Sequence, residues 1–193
     1  MPLIVLDRDG VINEDSADYI RSVADWRPIP GSLEAIASLS RAGYTIAIAT
    51  NQSGLGRGYF GIDELEAIHS LLRQQVEDLG GHIEGIFYCP HRPEKGCQCR
   101  KPATGLLAAI ESELAQSPRG SFFVGDSVRD LQAARAYGCQ PVLVRTGKGR
   151  ASAAALAART AVVAGADAIP VYDDLAAAVQ EILRAAPIPK DDR

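Results

Sequence analysis

The sequence predicts an α/β fold built on a doubly wound parallel sheet. Short apolar runs alternate along the chain with longer segments of helical periodicity, which is the order in which parallel strands and crossover helices follow one another. The runs are apolar at every position rather than at every second one, as expected for strands that are covered on both faces. A chain of 193 residues is long enough to bury one complete core of this kind.

The predicted strands and helices alternate regularly. The strands are expected at Leu3–Leu6, Thr45–Ala49, Gly85–Tyr88, Ser121–Val124, Pro141–Val144 and Ala168–Val171. The helices are expected at Ser32–Arg41, Asp63–Leu79, Thr104–Ala115, Val128–Ala136, Ala151–Thr160 and Leu175–Ala186. Asp63 with Glu66 three residues later resembles a capping box, and Gly43, Gly80 and Gly138 stand where three of the helices should end.

Composition and charge exclude several classes of protein. Residues 1–186 are expected to form one domain, and residues 187–193 a polar tail. The net charge of −4 argues against a nucleic-acid-binding protein, which needs a basic surface. No run approaches the roughly 18 apolar residues of a membrane span, and the first apolar run is too short for a secretory signal. We therefore expect a cytoplasmic monomer that acts on a small molecule and binds neither nucleic acid nor membrane.

Two aspartates follow the first predicted strand directly. Asp7 and Asp9 are two residues apart, so on an extended chain both face one site at the edge of the sheet where ligands bind. A divalent cation, a shared proton or both would offset their repulsion, and we expect one carboxyl to have a raised pKa. Asp7 then fits a nucleophile that forms an aspartyl phosphate, and Asp9 a general acid and base. The alternative is a turn with two solvated aspartates.

Three further polar residues follow later strands of the predicted sheet. Thr50 comes after the second strand, Asp126 after the fourth, and Lys101 beyond the third. Together with Asp7 and Asp9, Asp126 supplies a third carboxylate, and such a set suits Mg²⁺. A hydroxyl and an ammonium group in these places can hold the oxygens of a phosphoryl group. The alternatives are that Asp126 only caps the next helix and that Lys101 is a solvated loop cation.

Three of the four cysteines cluster with a histidine. This cluster has the ligand set of a closed tetrahedral Cys₃His zinc site, at Cys89, His91, Cys97 and Cys99. We expect a structural zinc ion there, which holds a short polar loop over residues 89–99 and directs Arg100 and Lys101 towards the site. The alternative is a set of buried or unpaired thiols without metal.

Four other residues of reactive types receive no catalytic or binding role. His69 is expected on a helix surface and His82 in a loop. Asp130 is expected on a helix surface or behind the catalytic residues, and Cys139 stands apart from the other cysteines.

Four of these features occur in a defined order, namely Asp7-x-Asp9-Gly10, Thr50-Asn51, Lys101 and Gly125-Asp126. In this order they resemble the four motifs of the haloacid-dehalogenase superfamily of phosphatases, over nearly the whole chain. The resemblance implies a Rossmann-like fold, here without a large cap domain, and a Mg²⁺-dependent phosphatase. It also implies that Asp7, the backbone carbonyl of Asp9 and Asp126 hold Mg²⁺, whereas Thr50 and Lys101 stabilise the phosphoryl group.

Longer motifs narrow the resemblance to small phosphatases of phosphorylated sugars. These motifs are Asp7–Asn13, Thr50–Gly58, the zinc loop and Cys99–Pro102. The resemblance implies that Arg100 recognises a second, distal phosphate or the sugar. It also implies that the substrate is lined by Asp15, Tyr19, Asn51, Gln52, Ser53, Arg57 and Lys101. Members often carry a lysine directly after the metal-binding aspartate, where this chain has Ser127.

Three alternative functions are weighed against this interpretation. Histidinol-phosphate phosphatases share the motifs and the zinc loop, but they tend to have an aspartate in place of Ser53 and to lack Arg57, so the sugar phosphatases are favoured. A signalling receiver domain accepts its phosphoryl group after the third strand, whereas this order of motifs ends in Asp126. A zinc-stabilised binding module would leave the aspartates at three strand ends unexplained.

Overall fold

The computed structural model describes residues 1–185. In this part of the chain, six strands form one sheet: β1 (Leu3–Leu6), β2 (Thr45–Asn51), β3 (Gly85–Cys89), β4 (Phe122–Gly125), β5 (Gln140–Val144) and β6 (Val171–Tyr172). The helices are α1 (Ser32–Arg41), α2 (Ser53–Arg57), α3 (Ile62–Asp78), α4 (Gly105–Leu114), α5 (Val128–Tyr137), α6 (Gly149–Ala157) and α7 (Leu175–Ala185). The predicted tail, residues 187–193, lies outside the described residues.

The strand order is β3-β2-β1-β4-β5-β6, and every neighbouring pair is parallel. This arrangement confirms the predicted doubly wound sheet. β1 pairs with β2 on one side and with β4 on the other, so the strand order reverses at β1. Ligands of open α/β sheets bind in the crevice outside the carboxyl ends of the strands at such a point, which here is where Asp7 and Asp9 follow β1.

The two faces of the sheet bury separate cores. Ile4 and Leu6 of β1 pack with residues of α1, α3 and α7 on one face. Leu3 and Val5 pack with residues of α4 and α5 on the other. Because successive side chains of a strand point to opposite faces, covering both faces requires apolar residues at every position of the strand.

The segment between β1 and α1 lies against the domain without forming a cap. Trp26 is buried, and its Nε1 donates a hydrogen bond to Gln75 Oε1 of α3 at 2.8 Å. The buried Ser32 hydroxyl donates to the carbonyl of Ile12 at 2.6 Å, which closes the segment back on itself. Within residues 1–185, no connection between elements forms a separate cap domain, in agreement with the prediction.

Two elements, α2 and β6, differ most from the prediction, and the capping box of α3 pairs Gly61 with Glu64 rather than Asp63 with Glu66. The five-residue helix α2 was not predicted, since its segment Ser53-Gly-Leu-Gly-Arg57 contains two glycines, which disfavour helices. The last strand was predicted at Ala168–Val171, but residues 166–168 form a 3₁₀ turn and β6 begins at Val171. An edge strand of two residues is determined by its pairing with β5, which the local sequence does not encode.

The position of β1 at the centre of the sheet predicts a large loss of stability on truncation of its core residues. Ile4 is fully buried, and Ile4→Ala should lower the free energy of unfolding by about 2–5 kcal/mol through lost transfer energy and the cavity that remains. Val162 is 81% exposed, so Val162→Ala should change stability by less than about 0.5 kcal/mol. Urea denaturation of both variants checks this, and equal losses would contradict the assigned burial.

Candidate functional site

A cavity of about 390 Å³ opens at the carboxyl ends of β1, β2 and β4. Its wall contains all the residues predicted to take part in catalysis, Asp7, Asp9, Thr50, Lys101 and Asp126. All but one of the residues predicted to line the substrate also face it, namely Asp15, Tyr19, Asn51, Gln52, Ser53 and Arg100. The volume falls in the range that is usual for small-molecule sites.

Lys101 is buried at the base of this cavity and forms two ion pairs. Its Nζ lies 2.8 Å from Asp7 Oδ1 and 2.6 Å from Asp130 Oδ1, and it donates to the backbone carbonyl of Ala49 at 2.7 Å. Burial alone would lower the pKa of Lys101, but the carboxylates of Asp130 and Asp7 outweigh burial and raise it. The ammonium group is therefore charged and lies beside the oxygen of Asp7, so Lys101 is not a solvated loop cation.

Asp7 is the member of the aspartate pair whose pKa is raised. Burial is the main cause and raises the pKa of Asp7 to about 8, although the Lys101 ammonium lowers it. The nearby carboxylates of Asp130 and Asp126 contribute to the rise. The expectation of one raised pKa therefore holds for Asp7 but not for Asp9, the predicted acid and base, and the cause is burial and these two residues rather than repulsion from Asp9.

Asp9 is held in the ionised state by four hydrogen bonds. Arg8 donates from Nε to Oδ1 at 3.0 Å and from Nη2 to Oδ2 at 3.1 Å. The amide groups of Asn13 and Gln52 donate to the same two oxygens, each at 2.9 Å. Burial would raise the pKa of Asp9, but the Arg8 guanidinium and the two amides together lower it. The two motif aspartates are therefore not solvated, and their environments differ.

Asp7 and Asp126 form a cluster that fits a divalent cation. One carboxylate oxygen from each lies within 4.8 Å of the other and of an oxygen of Asp130. Burial, and then the charge of Asp130, raise the pKa of Asp126 to about 7, although the backbone N–H of Lys148 donates to Oδ2 at 2.7 Å. A Cβ on Gly10 would lie 2.1 Å from Asp126 Oδ2, so this motif position admits only glycine beside the carboxylate. Buried carboxylate oxygens with uncompensated negative charge suit Mg²⁺.

Asp130 supports Lys101 in the wall of the cavity. It is 1% exposed, and besides the Lys101 ion pair its Oδ2 accepts hydrogen bonds from the backbone N–H of Ser127 at 3.0 Å and from the Ser127 hydroxyl at 2.6 Å. Of the two positions expected for Asp130, the structure excludes the helix surface and has it behind the catalytic residues.

Two of the residues predicted to line the substrate use their side chains within the protein. The Asn51 amide exchanges two hydrogen bonds of 3.1 Å with the backbone of Lys101. Gln52 Nε2 donates to both Asp9 Oδ2 and Thr50 Oγ1, each at 2.9 Å. Asn51 and Gln52 therefore face the cavity but orient Lys101 and Asp9. Ser53 lies in the wall of the cavity at the start of α2.

The Cys₃His cluster assembles as predicted. The Sγ atoms of its three cysteines lie 3.1–3.5 Å apart, and His91 Nδ1 lies 3.2 Å from Cys99 Sγ and 3.6 Å from Cys89 Sγ. The cysteines are free thiols rather than disulfides. Burial would raise the pKa of the Cys97 thiol, but hydrogen bonds, first of all from the backbone N–H of Arg100, lower it to about 6. Three sulfurs and one imidazole nitrogen at this separation fit a tetrahedral zinc ion.

Comparison with known proteins agrees with this geometry. Residues 98–178 match a family model described as HAD-hydrolase-like. The chain is 50% identical to the D-glycero-beta-D-manno-heptose-1,7-bisphosphate 7-phosphatase of Pseudomonas aeruginosa over 182 residues, which are 94% of this chain and 98% of that protein. It is 44% identical to the protein of the same name from Bordetella bronchiseptica over 187 residues, 96% of this chain and 100% of that protein. The chain belongs to this phosphatase family.

A solved structure of the family has the same fold. The crystal structure of D,D-heptose 1,7-bisphosphate phosphatase from B. bronchiseptica, complexed with magnesium and phosphate, aligns with a TM-score of 0.88 and 45% identity over 96% of this chain and 100% of that chain. Membership of the family confirms the predicted haloacid-dehalogenase resemblance and excludes the receiver-domain and binding-module alternatives. Within residues 1–185, no helix is long and apolar enough to cross a membrane.

Arg57 is the one predicted substrate residue that does not face the cavity. Its guanidinium Nη2 lies 3.6 Å from Glu94 Oε1 of the zinc loop. α2 turns this side chain towards the zinc loop, an orientation that the spacing of residues in the motif does not reveal. The expectation that Arg57 lines the substrate is therefore not supported by the structure.

Two basic residues of the cavity were missed from the sequence. Arg129 and Lys148 both face it, and Lys148 Nζ lies 2.5 Å from Asp15 Oδ2 across its mouth. Arg129 occupies the first turn of α5, where the helix dipole disfavours a positive charge. A basic residue in the first turn of a helix, directly after the Gly125-Asp126 motif, is the sequence signal that would have identified Arg129.

His69 is buried rather than on the surface. It is 3% exposed, and its Nε2 lies 3.2 Å from Arg8 Nη1. Burial, and then the Arg8 charge, lower the pKa of His69 from 6.5 to about 3. This imidazole is therefore neutral at pH 7. The other unassigned histidine, His82, is exposed next to Glu77 and Glu84.

The lowered pKa of His69 predicts a specific loss of stability in acid. Between pH 6.5 and about 3 the unfolded chain binds a proton at this histidine and the folded chain does not, so the free energy of unfolding falls with falling pH by about 1.4 kcal/mol per unit. His69→Gln should remove this contribution. Urea denaturation at pH 7 and pH 5 should therefore show the wild type losing about 2 kcal/mol more than the variant. Equal losses would contradict the buried neutral state.

Proposed function

We propose that this chain is a Mg²⁺-dependent phosphatase that removes the 7-phosphate of D-glycero-β-D-manno-heptose 1,7-bisphosphate. The observation that carries the proposal is a cavity with Asp7 and Lys101 for the reacting phosphate. Two guanidinium groups that form no ion pair within residues 1–185, those of Arg100 and Arg129, are available for a second phosphate. The name shared by the relatives supplies the sugar and its β anomer. The resemblance would place this reaction in the supply of ADP-heptose for the lipopolysaccharide core.

In the first step, the Asp7 carboxylate attacks phosphorus, and the bond between phosphorus and the sugar oxygen breaks. The ammonium group of Lys101, 2.8 Å from Asp7, lies beside the phosphoryl oxygens and stabilises their charge. The Thr50 hydroxyl accepts from Gln52, which leaves its own proton for a phosphoryl oxygen. Mg²⁺, held by Asp7 and Asp126 with the carbonyl of Asp9, would supply the positive charge that ionises Asp7 and neutralises the phosphoryl group.

Asp9 moves the proton in both steps. The Asp9 carboxyl is ionised in the free protein. The negative charge of the arriving phosphate raises the pKa of Asp9, so the carboxyl binds a proton. Asp9 then gives this proton to the leaving sugar oxygen. In the second step Asp9 takes a proton from the water that attacks phosphorus. The bond between phosphorus and Asp7 then breaks, which releases phosphate and restores the carboxylate.

Arg100 and Arg129 are the proposed site of the distal phosphate. Both face the cavity, and burial and then the charge of Arg129 lower the pKa of Arg100, which indicates that the two cations are close. Neither forms an ion pair within residues 1–185. Two like charges held together in this way are stabilised by an anion, and guanidinium groups bind phosphate through paired hydrogen bonds. Asp15, Tyr19 and Ser53 would contact the sugar between the two phosphates.

The Cys₃His cluster is the proposed structural zinc site. Arg100 directly follows the zinc loop, and its Nη1 donates to the carbonyl of His91 at 3.3 Å, so the metal would set the position of this guanidinium. A closed set of four protein ligands has no open position for catalysis. Free cysteines are usual in a reducing compartment, which supports a cytoplasmic location. The monomeric state stays a prediction.

The first test is phosphate release in the presence of Mg²⁺. The heptose bisphosphate and histidinol phosphate are compared at equal concentration, and we expect a strong preference for the bisphosphate. Asp7→Asn should lower kcat by about 10³-fold or more, because the amide is not a nucleophile, and should leave the circular dichroism spectrum unchanged. Preference for histidinol phosphate would overturn the proposed substrate, and an active Asp7→Asn variant would overturn the mechanism.

The distal-phosphate site predicts a change in KM. Arg129→Gln should raise KM for the bisphosphate by about 10- to 100-fold, because it removes charge-assisted hydrogen bonds to the second phosphate. It should leave kcat/KM for heptose 7-phosphate, which lacks that phosphate, within about twofold of the wild type. Arg57→Gln is the matched control, because the Arg57 guanidinium faces Glu94 rather than the cavity. The assignment would fail if Arg57→Gln raised KM more than Arg129→Gln does.

The zinc site predicts different effects of substitution at Cys97 and at Cys139. Cys97→Ser should lose the metal, lower Tm and raise KM for the bisphosphate by about 10-fold or more through displacement of Arg100. Cys139 is buried outside the cluster, so Cys139→Ser should retain one zinc per chain. Metal analysis by mass spectrometry and steady-state kinetics check both variants. A metal-free wild type, or an equal loss of zinc in both variants, would exclude the site.

A further inference from the structure

The arginine inside the Asp7-x-Asp9 motif is fully buried. Arg8 has 0% exposure, although arginine is among the residue types that are least often buried. Its Nε and Nη2 form a fork against the two oxygens of Asp9. The guanidinium thereby fixes the rotation of the carboxyl that the proposed mechanism uses as acid and base.

The third nitrogen of this guanidinium contacts His69. Arg8 Nη1 lies 3.2 Å from His69 Nε2, across 61 residues of sequence. A guanidinium only donates hydrogen bonds, so Nε2 accepts and the imidazole carries its proton on Nδ1. The ring of Tyr88 lies 5.8 Å from that of His69 at a tilt of 53°, and the neighbouring Ile68 and Leu72 of α3 are fully buried. The acceptor is therefore held in place by packed neighbours.

We propose that His69 is a positioning residue for the phosphatase reaction: its Nε2 holds the Arg8 guanidinium in the orientation that fixes Asp9. This inference rests on the proposed role of Asp9. A buried N–H without an acceptor is costly, so Arg8 without His69 would rotate to satisfy Nη1 elsewhere. Rotation would break the fork, and Asp9 would keep only the hydrogen bonds from Asn13 and Gln52.

Three variants separate positioning from simple support of the fold. His69→Leu removes the acceptor and should lower kcat by about 10- to 100-fold with KM within about twofold of the wild type. His69→Gln restores an acceptor oxygen near Nε2 and should recover most of kcat. Leu72→Ala, on the same buried face of α3, should lower Tm and keep kcat. Wild-type kcat in His69→Leu, or no recovery in His69→Gln, would overturn the proposal.

A double-mutant cycle with Asp9 tests the route of the effect. If His69 acts through Asp9, adding His69→Leu to Asp9→Asn should cause no further loss of the residual kcat. Independent, multiplicative losses would show that His69 acts in another way and would overturn the proposal. The assays use both the heptose bisphosphate and p-nitrophenyl phosphate. A wild type that is active only on the second compound overturns the proposed sugar substrate and leaves the His69 comparison intact.

The hydrogen bond also has a readout that needs no activity. Long-range ¹H–¹⁵N correlation spectra resolve the tautomers of the three histidines in the chain, and the spectrum of His69→Gln assigns the signal of His69. At pH 7 we expect His69 protonated on Nδ1 and unprotonated on Nε2. A proton on Nε2 would exclude the contact with Arg8 and with it the proposal.

Discussion

The active-site geometry depends on one buried cation. The Lys101 ammonium group forms ion pairs with Asp7 after β1 and with Asp130 in α5, and it donates a hydrogen bond to the carbonyl of Ala49 in β2. Removing one partner of a buried ion pair typically costs about 3–5 kcal/mol, because the remaining charge is left without compensation. Two strands and a helix are therefore held in one arrangement around this ammonium group, which also fixes the position of the Asp7 carboxyl.

A second buried cation gives the two motif aspartates different properties. Lys101 is shared between Asp7 and Asp130, and burial leaves Asp7 with a raised pKa. Arg8 is directed at Asp9 alone and, with two amides, lowers the pKa of Asp9. Neighbouring carboxyls with pKa values displaced in opposite directions are suited to different chemical roles. The proposed division of the pair into a nucleophile and a proton carrier therefore rests on a separate cation for each carboxyl, and Arg8 in turn contacts the buried His69.

Much of the fold and many of the residues that line the cavity were predictable from local patterns. Apolar runs predicted the strands of the sheet because strands covered on both faces need apolar residues throughout, and polar residues directly after them had to meet at one edge. Asp7, Asp9, Thr50 and Asp126 were found in this way. α2 was not, since a helix with two glycines depends on its surroundings. The surroundings of side chains on helices were predicted less well, because the direction of each side chain depends on how its helix is rotated against the sheet.

The sequence by itself determined the order of the elements, the motifs at the strand ends and the members of the Cys₃His cluster, because each of these is a spacing along the chain. Only the tertiary structure decided which side chains share a contact across long separations. In the folded chain Arg57 points away from the cavity, whereas Arg129 faces it. Asp130 is buried against Lys101, and His69 contacts Arg8. These contacts follow from packing of helices on the sheet and from the need of each buried polar atom for a partner, and neither requirement is written in any local stretch of residues.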